Sequence, residues 1–372
     1  MRVMRNAHVK ACFPSLELCA AAAILPGSPY RKHAAMISIS RSLGAAAAAL
    51  LLSLGSASAA DDLKELRLDY AYYSPPSLVL KKFGWAEEEF KKEGTEVKWV
   101  LSAGSNRALE YLSSNAVDFG STAGLAAVLS RANGNPIKTV YVFSRPEWTA
   151  LVVNKDSQIK SIADLKGKKV AATKGTDPYL FLLRSLSTKG LHKNDVEIVH
   201  LQHADGRAAL EQKRVDAWAG LDPIMASAEL ESGARIIYRN VEFNTYGFLN
   251  TSEQFLAAHP RQVDRVIALY ERAKKWIREN PEETAKIISE EAKLPIAVAK
   301  LQLTRNDFSV SHPGPTHVRA LKAAAPILVQ EDLVKPGTDV NKVIDTLLDR
   351  VPAAFDPKSG QSEQRPIALG TK

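Results

Sequence analysis

Two stretches of the chain, a hundred residues apart, repeat one pattern, and that repetition narrows the folds open to it. Leu101 to Gly124 reads LSAGSNRALEYLSSNAVDFGSTAG, and Leu201 to Pro223 reads LQHADGRAALEQKRVDAWAGLDP. In each copy a short alternating run (VKWVL, VEIVHL) enters a polar loop that contains glycine or leads to one. A helical segment opens at Arg107 or Arg207, and a turn leads to Val117-Asp118-Phe119 or Val215-Asp216-Ala217. The period changes from two to 3.6 at the same place in both copies, which predicts a β-loop-α-β unit each time. Two such units predict two similar α/β lobes. Ligands of open α/β sheets sit outside the carboxyl ends of the strands, so facing lobes would enclose one between them.

The first sixty residues follow other rules. Arg41 precedes the uncharged Ala/Leu-rich run Leu43 to Leu54, and Ala57-Ser58-Ala59 supplies the small residues of a cleavage site, so residues 36–60 are expected to be a secretory signal peptide. Met36 lies where such a signal would start, which makes residues 1–35 an over-long start. The apolar run is about a dozen residues, short for a bilayer span. Export to the periplasm is therefore expected. Those sixty residues carry six basic side chains and one acidic; without them 43 basic face 40 acidic, a net charge of +3 in place of the +8 of the whole chain. Such a surface gives no case for nucleic acid. Both cysteines, Cys12 and Cys19, also fall in the leader, so the exported part would hold no disulfide and must rely on its core.

Residues 63–147 read as the first part of lobe 1. LRLDYAYY alternates as a strand, Ser74-Pro75-Pro76 breaks it, Leu78 to Lys92 reads as one helix, and the first repeat follows. Residues 148–242 read as lobe 2. Within it Lys169 to Ala172 runs into Lys174-Gly175-Thr176-Asp177-Pro178, where Thr176 or Asp177 is placed to cap a helix that Pro178 begins. Residues 243–355 read as a mostly helical return to lobe 1, and 356–372 as a loose polar tail.

From about residue 63 to 350 the chain resembles the periplasmic solute-binding proteins of ABC importers in the aliphatic sulfonate, nitrate and taurine group, and within it the sulfonate-binding branch. The resemblance rests on AVDFGSTAG at 116–124, IADLKGKKVAATKGTDPYLFLLRSL at 162–186 and RVDAWAGLDP at 214–223, in that order. It implies an α/β, type II periplasmic-binding fold: two lobes joined by two crossovers, with the ligand in the cleft between them. It further implies a small sulfonate-like anion as ligand, a membrane permease with its cytoplasmic ATPase as partners, no cofactor and a monomer. Leu221, where that branch carries an aromatic residue, and Ala123-Gly124, in place of a Gly-Asp pair, are departures that bear on the identity of the ligand.

An anion in a dry cleft needs hydrogen-bond donors, and helix N-termini offer them with a favourable dipole. Three candidate sets precede helices: Ser105 with Asn106, Ser121 with Thr122, and Gly175 with Thr176 and Asp177. The plainer alternative is that each merely caps its own helix. Tyr73, Trp148, Tyr179 and Trp218 are candidates to hold an organic tail, although aromatic residues more commonly pack in cores. Trp148 is favoured, because a crossover borders the cleft. His203 opens the second repeat helix and completes the ligand set, while Asp205 and Asp222 read as caps. An enzyme on the same fold is the competing hypothesis, with Glu147, Asp177 and His203 as its acid-base candidates, and receptors for nitrate, a sulfate ester or an aromatic carboxylate compete on ligand alone. Asp118-Phe119-Gly120 lacks the other kinase motifs, and His312 and His317 lack a third metal ligand.

Overall fold

The computed structural model describes residues 63–348, so the expected over-long start, the signal peptide and the tail lie outside the described residues. All described residues belong to one compact unit.

Eleven strands are described: β1 Glu65–Tyr70, β2 Glu96–Leu101, β3 Phe119–Ala123, β4 Ile137–Pro146, β5 Thr149–Val153, β6 Lys169–Ala172, β7 Glu197–His200, β8 Ala217–Leu221, β9 Arg235–Tyr238, β10 Gly247–Ser252 and β11 Asn306–Asp307. They form two sheets, ordered β11-β4-β10-β3-β1-β2 and β7-β6-β8-β5-β9. In the first, β1 pairs parallel with β2 and β3 while β10 runs antiparallel between β3 and β4. In the second, β6 pairs parallel with β7 and β8 while β5 runs antiparallel between β8 and β9. The two orders superimpose strand for strand, β2-β1-β3-β10-β4 on β7-β6-β8-β5-β9. Each sheet receives its antiparallel strand from a crossover: the chain leaves the first sheet after Pro146 to enter the second as β5, and leaves the second after Tyr238 to return as β10. That exchange is the two-lobed arrangement.

The segment expected to be one helix from Leu78 to Lys92 is two, Pro75–Phe83 and Trp85–Phe90. Gly84 between them has φ +64°, a left-handed conformation that ends the first helix and that glycine adopts without a Cβ penalty. Ser121 and Thr122 precede a helix as expected, but they do so from within a strand. They belong to β3, and the helix Gly124–Ala132 starts after them. The larger core joins the first sheet and the return helices, including the amphipathic Pro260–Glu279 with its buried Val263, Val266, Tyr270 and Ile277, to second-lobe residues such as Leu151, Val170, Phe181 and Ala219. A smaller core under the second sheet gathers Val152, Ala171, Leu210, Trp218 and Met225.

Candidate functional site

Where the lobes meet, the starts of three helices converge. Ser105–Ser113 belongs to the first lobe, and Asp177–Ser187 and His203–Glu211 to the second. None of the three has a side-chain hydrogen bond capping its N-terminus. A Cβ built on Gly104, the residue before the first helix, would lie 2.9 Å from His203 Nε2 and 2.8 Å from Asn106 Oδ1. One built on Gly175, ahead of the second helix, would lie 3.6 Å from Asn106 Cβ. Glycine at 104 thus lets the two lobes approach to contact. Unsatisfied amides at helix starts, with the positive ends of three dipoles aimed at one place, suit an anion.

Three side-chain atoms at these helix starts are buried and have no hydrogen-bond partner among the described residues: Asn106 Oδ1, Gln202 Oε1 and His203 Nε2. The His203 ring is otherwise fixed. Thr173 Oγ1 gives its one hydrogen to the Leu201 carbonyl at 2.7 Å, so His203 Nδ1, 3.1 Å from that oxygen, is the donor, and Nε2 carries the lone pair. Burial alone pushes the His203 pKa down to about 3. Thr176 is the N-cap residue of its helix, but its hydroxyl donates back to the Thr173 carbonyl at 2.6 Å, which tightens the Gly175 loop.

The remaining candidates serve the frame around this junction. Asp177 is fully occupied: Oδ2 accepts from Trp148 Nε1 and from the Thr245 amide, both at 2.9 Å, and Oδ1 accepts from Thr245 Oγ1 at 2.7 Å. Trp148 lies on the first crossover and Thr245 on the second, so this one carboxylate ties both to the second lobe. Its pKa is raised by burial, against the pull of those hydrogen bonds. Asn244 adds a further tie between the crossovers, its Oδ1 accepting from the Thr149 amide at 2.9 Å. The second crossover also caps the helix Gly124–Ala132, whose first two amides go to the Tyr246 carbonyl and to Thr245 Oγ1.

Ser121 is spent on Asp69, its amide and its hydroxyl donating to the two carboxylate oxygens at 2.8 and 2.9 Å. Thr122 Oγ1 accepts from Asn250 Nδ2 at 2.7 Å, and Ser105 Oγ accepts from the Ala123 amide at 2.9 Å. Asp69 is wholly buried, and desolvation lifts its pKa to about 6. Tyr73 donates to the Ser121 carbonyl at 2.8 Å and meets the Trp148 ring edge-on at 5.7 Å, so both aromatics form a buried wall beside Asp177. Tyr179 packs edge-on to His200 at 5.6 Å and, with it and Lys193, borders a depression of about 560 Å³ on the second lobe. Trp218 sits in the second lobe's own core, where a Cβ on Gly206 would come within 2.7 Å of its indole nitrogen. Asp222 accepts from the Ala226 amide at 2.9 Å, the cap expected of it.

Sequence reasoning missed Gly104, Thr173, Thr245, Asn250 and Arg305. Arg305, from the return segment, reaches across to Asp222 at 3.2 Å and to Glu229 at 2.6 Å in the second lobe. A lone Asp in the alternating strand LRLDYAYY was the visible sign of the Asp69 network. Nothing local marked the others.

A pair of matched sheets that exchange a strand through two crossovers, with uncapped helix starts facing each other at the junction, defines a two-lobed ligand-binding protein. The chain belongs to the family described as NMT1/THI5 like, whose profile it matches over residues 81–284. It is 29% identical over 302 residues to a Bacillus subtilis (strain 168) protein named for aliphatic sulfonate binding, covering 80% of this chain and 91% of that one. A protein of the same name from Escherichia coli K12 is 29% identical over 310 residues, covering 81% and 93%. The alkanesulfonate-binding protein SsuA from Xanthomonas axonopodis pv. citri, solved bound to MOPS, shares the fold with a TM-score of 0.71 over 77% of this chain and 98% of that one, at 24% identity.

Proposed function

We propose that the chain is the periplasmic substrate-binding component of an ABC importer, and that it captures a small organic sulfonate between its lobes for delivery to a membrane permease driven by a cytoplasmic ATPase. The observation that carries this reading is the meeting of three uncapped helix starts, from both lobes, at Gly104–Asn106, Gly175–Thr176 and His203. A sulfonate presents three oxygens to such a set of amides, and the names of the relatives supply the same ligand class independently. The organic tail would run toward the wall made by Tyr73 and Trp148.

Ligand capture follows from geometry of this kind without chemistry. Contacts made from both lobes are complete only when the lobes are together, so the ligand biases the chain toward that state. A receptor is preferred over an enzyme because two of the three acid-base candidates are committed elsewhere, Glu147 to Arg239 at 2.5 Å and Asp177 to the crossovers, which leaves His203 with no second acid or base beside it. The protein acts as a monomer in this account.

The test is isothermal titration and thermal shift of the purified chain with alkyl and aryl sulfonates, a sulfate ester, nitrate and aromatic carboxylates, followed by analysis of the ligand afterwards. Sulfonates should stabilise the protein and be recovered unchanged. Stabilisation by none of them, or a sulfonate recovered as a product, would refute the reading.

A further inference from the structure

We propose that His203 is the proton-carrying counter-charge of the captured anion: as the lobes close on the ligand, Nε2 takes a proton from solvent and donates it in a hydrogen bond to an anionic oxygen. This rests on the anion-receptor reading and adds to it the uptake of a proton with the anion, up to one per ligand.

The geometry carries the argument. His203 is the first residue of its helix and is 1% exposed, yet its Nε2 has no partner and points across the junction to Gly104 and the start of the opposing helix. Thr173 dictates which nitrogen can respond. Its hydroxyl is already an acceptor for Nδ1–H, so a second proton can go only to Nε2, the atom that faces the helix starts. Among the described residues, no lysine or arginine of the helices and strands at this junction is buried beside the ring. Arg207 is held by Glu211 and Glu231, and Arg107 by Glu110; Lys169 pairs with Glu197, and Lys174 is exposed on the Gly175 loop. The acids around the ring are equally committed or turned to solvent. Glu229 goes to Arg305, Glu231 to Arg207, Asp177 to the crossovers, and Asp205 is exposed on the same helix.

Burial without a neighbouring charge keeps the ring neutral in the closed, unliganded junction, which is the state the depressed pKa describes. An anion at Nε2 reverses that balance by the ordinary rule that an opposite charge favours the charged form. With the lobes apart, solvent reaches Nε2 and the lowering by burial is relieved toward the ordinary histidine value of about 6.5. Affinity should therefore rise as pH falls from 8 toward 6.5 and level off below that.

The experiment titrates the full chain with butane-1-sulfonate at pH 7 in phosphate and in Tris, whose ionisation enthalpies differ, and repeats the titration from pH 8 to 6. The wild type should take up between about half and one proton per ligand and bind roughly three- to tenfold more tightly at pH 6.5 than at pH 8. His203→Gln, checked for a native circular dichroism spectrum, should bind with no proton uptake and a flat pH profile. Thr173→Ser should retain the wild-type profile, because it keeps the acceptor. Binding by the wild type without proton uptake, or a His203→Gln variant that keeps the pH dependence, would overturn this inference alone. Failure of every anion in the panel to bind would remove the receptor reading and this inference with it.

Discussion

Replacing Asp177 separates two roles that its position between the lobes allows. If the carboxylate serves as the tie between the crossovers, Asp177→Ala leaves three buried donors without an acceptor: Trp148 Nε1, the Thr245 amide and Thr245 Oγ1. Each buried orphan costs about 1–3 kcal/mol, and removal of a desolvated carboxylate returns part of that, so a net loss of roughly 3–4 kcal/mol is expected. Asp177→Asn should behave differently. Its carbonyl can take the place of Oδ2 and accept from both Trp148 and the Thr245 amide. Its NH₂ then faces Thr245 Oγ1, which already accepts from the Leu125 amide but has a second lone pair. The cost of that change is about 1 kcal/mol. Urea unfolding of the ligand-free variants, followed by tryptophan fluorescence, measures both. A large loss for alanine with a small one for asparagine is the signature of the tie. If Asp177→Ala unfolds within about 0.5 kcal/mol of the wild type, as a surface change would, the assigned role is wrong.

Two further perturbations follow from the same contacts. Gly104→Val places a side chain where only 2.8 to 2.9 Å separates the Cβ position from Asn106 and His203, so it should hold the lobes apart. Sulfonate affinity should fall at least about tenfold while ligand-free stability changes by less than about 1 kcal/mol; unchanged affinity would show that this contact is not part of closure. Asp69→Asn tests the buried carboxylate through pH. Its folded pKa of about 6 lies above the 3.8 of an ordinary Asp, so between pH 4 and 6 the folded state binds more protons than the unfolded one, and Asp69's contribution to stability is lost as pH rises through that window. His203 and His317, whose pKa values fall to about 3 and about 4, run in the opposite direction, so the variant must be compared with the wild type at each pH. Relative to wild type, Asp69→Asn should gain on the order of 2–3 kcal/mol from pH 4 to pH 7 in chemical denaturation, and a constant difference would refute the assignment.

The repeat around Leu101 and Leu201 was enough to foresee two equivalent α/β lobes, because each unit is built from contacts close in sequence. The two changes of lobe, near residues 147 and 243, were legible, but the antiparallel pairing of β10 with β3 was not, since it joins residues over a hundred positions apart and leaves no local periodicity. The break at Gly84 was hidden for a different reason: a glycine inside a helical pattern is tolerated, and only the packing of Trp85 and Phe90 requires the turn there. At the site, Ser105, Asn106, Gly175, Thr176 and His203 were brought together, because residues opening helices after strands share one edge of each sheet. Ser121, Thr122 and Asp177 were offered on the same ground, but their partners Asp69, Asn250 and Thr245 arrive from remote segments that a local pattern cannot reveal. Trp218, offered as a ligand contact, is core instead: Gly206 in the middle of HADGRAALE supplies the space that its indole fills.

In the proposed function one anion is gripped by helix starts contributed from both lobes. A crystal structure of the chain grown with butane-1-sulfonate decides whether this is so. Sulfonate oxygens should lie within hydrogen-bonding distance of backbone amides at Ser105 or Asn106 and at Gly175 or Thr176, with His203 Nε2 as a further donor. A sulfonate found only in the surface depression beside Tyr179 and Lys193, or held by one lobe with the other turned away, would contradict it.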